Sequence, residues 1–146
     1  MNNATVVTAQ DVAEYFLIKA SSEEDSLSNL KLQKLLYYAQ GFHLAIYDTP
    51  LFADTIEHWM HGPVVPTVYD RYKNCGSGPI AVPTELNERL SNDKKEFLDQ
   101  IHEVYGQYSA WRLRNMTHDE APWKNTHSRQ IISHEVLKDF FQTRIN

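Results

Sequence analysis

Cysteine occurs once in the 146 residues, as Cys75. A single thiol excludes an internal disulfide framework and any zinc site built on cysteines, and it predicts a reducing compartment. Basic residues are in deficit: 14 Lys and Arg stand against 19 Asp and Glu, a formal charge of −5. That balance argues against binding a phosphate backbone as the main role, although a local basic patch is compatible with it. Long apolar runs are missing too, and none approaches the roughly 20 residues needed to span a bilayer. Met1 to Val7 is short and polar, with neither the basic start nor the apolar core of a secretory signal. No internal repeat and no low-complexity segment interrupts the chain. The expectation is a cytoplasmic protein without membrane contact, folded as one domain over 1–146. A chain this long can bury close to 70% of its unfolded surface, so it needs no disulfide or metal staple.

Hydrophobic residues make up 42% of the chain, and eight Tyr, six Phe and three Trp are among them. The apolar positions fall mostly at helical spacing. Thr8 can cap a first helix carrying Val12, Phe16 and Ala20, with Tyr15 beside that stripe. Ser21 to Asp25 reads as a solvated loop. Ser28 can cap a second helix on which Leu32, Leu35, Leu36, Ala39, Phe42, His43 and Ile46 recur, ended by Asp48-Thr49-Pro50. Its apolar surface predicts a central helix over about 28–47, with Lys31 and Lys34 at its edge or in solvent. Pro66 suits the first turn of a short helix to Tyr72. Ser91, Ser109 and Ser133 can cap three further helices. Pro122-Trp123 reads as a linker. The fold predicted is mainly α, with five or six helices packed around the central one. A small antiparallel hairpin is expected, 55–59 pairing with 80–82.

Few constellations carry chemistry. His58 and His61 could share a metal if their segment were helical, but β-favouring residues and Gly62-Pro63 make it extended, and no third ligand has a recognised spacing. His118-Asp119-Glu120 reads better as a cap or turn than as an acid–base pair. Cys75 lies beside a glycine-rich turn with no base assigned to it. Gly76-Ser77-Gly78 is too short for a phosphate loop and lacks the following Lys-Ser/Thr. The basic pairs are scattered, and no recognition helix gathers them. No catalytic residue, metal or cofactor is therefore assigned. The abundance of Tyr and Trp points instead to a protein interface.

Three segments carry a specific resemblance. They are Lys31-Leu32-Gln33-Lys34-Leu35-Leu36-Tyr37-Tyr38-Ala39-Gln40; Pro50-Leu51-Phe52 with Ile56 to Pro66 and Val68-Tyr69; and Thr117-His118 with Pro122-Trp123. In order and spacing the chain resembles the Panacea antitoxin domain, the SocA-like, phage-associated family, over about residues 8–142. It departs at His58, where the family often has a small residue, and at His61, where an aromatic is frequent. The resemblance implies an antitoxin that neutralises a cognate toxin by direct contact. It leaves two alternatives: an adaptor delivering a toxin to an ATP-dependent protease, and a DNA-binding autoregulator. A homo-oligomer is a further partner to test, and nucleic acid is not expected as one. Leu32, Leu35, Leu36, Trp59, Gly62, Pro63, Pro122 and Trp123 are expected to be architectural. Lys34, Tyr38, His61, Tyr69, Arg71 and Tyr72 are the residues expected to meet the toxin.

Overall fold

A computed structural model of the chain describes residues 6–85 and 88–145. The first five residues of the polar start lie outside them. Helices α1 (Ala9–Ser22), α2 (Asn29–Tyr47), α3 (Pro66–Tyr72), α4 (Asn92–Tyr105), α5 (Ala110–His118), α6 (Ala121–Lys124) and α7 (His134–Gln142) make up most of the fold. The architecture is mainly helical, as expected. The helix beyond the expected six is the single turn α6, at the segment read as a linker. Pro122 sits in its first turn, where a missing N–H costs nothing. All five expected caps form: Thr8, Ser28, Ser91, Ser109 and Ser133 each accept a backbone N–H three residues on. At Thr8 the bond is reciprocal, because Asp11 reaches back to the cap N–H.

Helix α2 is buried along nearly its whole circumference, with α1, α3, α4, α5 and α7 against it. Leu32, Leu35 and Leu36 are fully buried, each contributing about 1.5–3 kcal/mol relative to exposure. The most extensive partner is α7. Gly41 makes that approach possible, since a Cβ there would fall 2.1 Å from the Phe141 ring. The turn after α2 closes at Asp48 in the left-handed region, φ 62°.

The hairpin differs from the one expected. β1 (Glu57–Trp59) pairs antiparallel with β2 (Gly62–Val64), in the register Glu57↔Val64, His58↔Pro63, Trp59↔Gly62. Closing a two-residue loop at Met60-His61 takes far less chain entropy than closing one of about twenty residues to reach 80–82. Gly62 supplies the φ of +113° the turn requires. Ile80 donates its N–H to Leu27 O instead, and Pro79 bridges to Ser28. The free edge of β1 is covered by 129–132, through His58 N–H to Gln130 O, Arg129 N–H to His58 O and Ile132 N–H to Ile56 O.

Candidate functional site

Asn29, Gln33, Gln40 and His43 of α2 face inward, and their side chains fasten other segments. Gln33 accepts from Val65 N–H at 2.8 Å and donates to Asn29, which donates to Tyr69 O. Gln40 accepts from Leu51 N–H and donates to Phe52 O, both at 2.7 Å. His43 contacts Thr49 O at 2.6 Å. Leu51, Phe52 and Val65 lie outside β1 and β2, so α2 supplies the bonds that a ladder does not make there.

Tyr37 and Tyr38 both donate to Glu120, at 2.9 Å to Oε1 and 2.9 Å to Oε2. All three are buried. Tyr38 also stacks on Tyr105, centroids 3.9 Å apart. Burial pushes the Glu120 carboxyl above its ordinary 4.5, and the two hydroxyl donors pull it back down. The two phenols are raised as well, by burial first and the carboxylate second. Glu120 stands at the α6 cap position but makes no side-chain cap bond. The cap or turn role expected for His118-Asp119-Glu120 therefore gives way, at Glu120, to a tertiary one. Tyr38, read as an interface residue, is fully buried in this node.

Lys34 has no such partner. It is fully buried, and its Nζ donates to Pro63 O at 3.0 Å. Among the described residues it makes no ion pair. Burial, with the Arg114 charge added, lowers its ammonium to about 7. The sequence stripe put Lys34 at an edge or in solvent, but a helix covered on every side has no such edge. Gly62 lies against it: a Cβ there would fall 2.5 Å from Lys34 Cε and 2.8 Å from Thr117 Oγ1.

The three motif segments converge beside this lysine. Trp123 Nε1 donates to Trp59 O at 2.8 Å, and its ring is sandwiched between His58 at 4.1 Å and His118 at 3.9 Å. Pro122 and Pro63 are buried, and Trp59 is half-buried with Arg129 over its face at 4.3 Å. His58 and His61 go to different neighbours. His61 is exposed, accepts from Arg114 Nε at 3.3 Å and leans on Trp111. Lys34, Trp59, Tyr69, Lys73, Trp123 and Arg129 line one cavity of about 760 Å³. At its rim Met60 is 76% exposed, and outside it Trp111 is 54% exposed, with Arg114 over the ring at 4.4 Å.

Of the six residues read as meeting a toxin, His61 and Tyr69 are at this corner and Lys34 is beneath it. Arg71 is exposed on α3. Tyr72 is half-buried and takes a bond from Gln10 of α1, which holds it away from the corner. Trp111, Arg114 and Arg129 are not among the expected site residues, and Glu120 is expected only as part of a cap or turn. Trp111 and Arg114 are three apart on one helix, the one signal that could have paired them.

Helix α2 from Leu32 onward, the hairpin and the Pro122-Trp123 turn that build this corner all fall within one family domain. Residues 32–124 match the model of the family described as "Antitoxin SocA-like, Panacea domain", and the chain belongs to that family. It is 38% identical over 129 residues to Antitoxin SocA of Caulobacter vibrioides (strain NA1000 / CB15N), covering 80% of this chain and 69% of that protein. No solved structure matches the chain. No helix among the described residues is long and apolar enough to cross a membrane.

Proposed function

We propose that this protein is an antitoxin that neutralises a cognate toxin by binding it, without turnover. Family membership and the similarity to Antitoxin SocA support the role. The observation that carries the surface is the exposed cluster of Met60, His61, Trp111 and Arg114 where the hairpin turn meets α5. Met, Trp and Arg are the side chains that interface cores favour, and a large ring left this open is seldom needed for folding. The buried residues behind it, Lys34, Pro63 and Pro122, hold the hairpin in place and leave this cluster open to a partner.

A growth-rescue assay tests this with the double variant M60A/W111A. The melting midpoint is expected to stay near wild type, because both side chains are exposed, while rescue is lost. Full rescue would move the docking surface elsewhere. Titrating purified toxin separates modes: inhibition complete at one equivalent supports binding, and lasting inhibition by a small fraction of an equivalent would indicate turnover. Rescue that disappears in a host lacking its ATP-dependent proteases would make delivery to a protease the mode.

A further inference from the structure

The cavity beneath the hairpin has a character its surroundings do not explain. The protein carries a charge of −5, yet the described residues lining this cavity include Lys34, Lys73 and Arg129 and no Asp or Glu. Ser77 and Ser128 add hydroxyls to the lining. Lys73 lies 4.0 Å from Asp70, both side chains being exposed, so it is only weakly engaged. Arg129 spends its guanidinium on the Trp59 ring and makes no ion pair among the described residues. Trp59 and Tyr69 give flat apolar walls, 4.9 Å between centroids. Trp123 has both faces covered by histidines and offers only an edge.

Lys34 is the decisive group. A buried ammonium is ordinarily paired with a carboxylate or surrounded by acceptors. Here one carbonyl, Pro63 O, is its acceptor, and the charge acting on it is the Arg114 guanidinium from α5, with the His118 imidazole also in range. Neither is an acid. The cavity thus has cations at its floor and wall, aromatic sides, and a volume within the roughly 300–1,000 Å³ of small-molecule sites. We infer that it binds a phosphate monoester carried on a planar ring, a ligand of mononucleotide size, with the phosphate against Lys34 and the ring against Trp59 and Arg129. A dianionic phosphate matches three basic side chains better than a single carboxylate does, and Arg and Trp planes suit a flat ring. Met60 and His61 belong both to this cavity's lining and to the proposed docking cluster, whereas Trp111 and Arg114 do not line it, and the variants below lie outside that cluster.

Calorimetry on the full chain at low salt tests it, with AMP as the probe and adenosine, inorganic phosphate and benzoate as comparisons. AMP is expected to bind at least tenfold more tightly than any of the three. Run in two buffers of different ionisation enthalpy, AMP binding at pH 8 should take up close to one proton, as Lys34 regains its charge; at pH 6, where Lys34 is already charged and the phosphate is about half protonated, selecting the dianion should instead release about half a proton. The K34M variant should weaken AMP at least tenfold and abolish the uptake at pH 8. Should K34M fail to fold, K73A/R129A decides: both positions are exposed, and AMP binding is expected to fall several-fold in a protein of unchanged melting midpoint. AMP no tighter than adenosine, or unchanged in these variants, overturns the site. Benzoate matching AMP overturns the phosphate.

Discussion

Two charged groups are buried one helical turn apart along α2, and they are treated differently. The Glu120 carboxyl is met by two hydroxyls from adjacent residues of α2, aimed at its two oxygens. The Lys34 ammonium is met by one carbonyl and by neighbours of its own sign. A satisfied buried charge rigidifies its surroundings; an under-satisfied one stores a cost that something else must offset. The first joins α2 to the turn before α6. The second lies where a cavity opens. The contrast separates architecture from availability on one helix, between Tyr37 and Tyr38 on one side and Lys34 on the other.

The largest expected effect breaks the satisfied side. Glu120→Ala leaves two buried hydroxyls without acceptors, at about 1–3 kcal/mol each, and thermal melting should fall by about 10 °C. A loss below about 1 kcal/mol would mean the node holds nothing together. Glu120→Gln keeps an acceptor and should lose less. It also isolates the pH term. The folded carboxyl titrates above 4.5, so its contribution is full at lower pH and declines as the pH rises through the folded value. The Gln variant should lack that decline.

Next comes the wall of the other side. Gly62→Ala combines a φ of +113° with contacts of 2.5 and 2.8 Å to Lys34 and Thr117, and a loss of about 2–4 kcal/mol is expected in denaturant melts. An unchanged midpoint would show that Lys34 moves freely aside. The smallest effect sharpens the comparison. An ammonium lowered from 10.5 to about 7 makes the folded state a poorer proton acceptor than the unfolded one. Stability should therefore rise by about 2 kcal/mol from pH 7 to 9 and stay level below pH 7 on this account. Lys34→Met should remove that part of the rise. Equal slopes in the two proteins would place the charge in solvent.

Much of the helical framework could be read from residues. The caps Thr8, Ser28, Ser91, Ser109 and Ser133 are local chemistry, and a hydroxyl three residues before a backbone donor works wherever the helix packs. The extent of α2 followed from its periodicity. What periodicity could not give is how many sides of a helix are covered: it placed Lys34 outward because its apolar neighbours pointed elsewhere. The pairing of β1 was missed because β-propensity marks a strand without naming its partner, and the tight turn at Met60-His61 lacks the Asn-Gly type of signal. Glu120 was legible only as part of a His118-Asp119-Glu120 cap or turn. Its role depends on Tyr37 and Tyr38, over eighty residues earlier, and no local rule joins them.

The Gly41–Phe141 contact has a consequence in time. The notch in α2 and the ring that fills it are about 100 residues apart in sequence, so translation at about 5–20 residues per second leaves roughly 5–20 s between making one and making the other. Throughout that interval the central helix carries an open apolar face. The nascent protein is therefore a client for whatever binds such faces on the ribosome, and its folding completes only when α7 arrives.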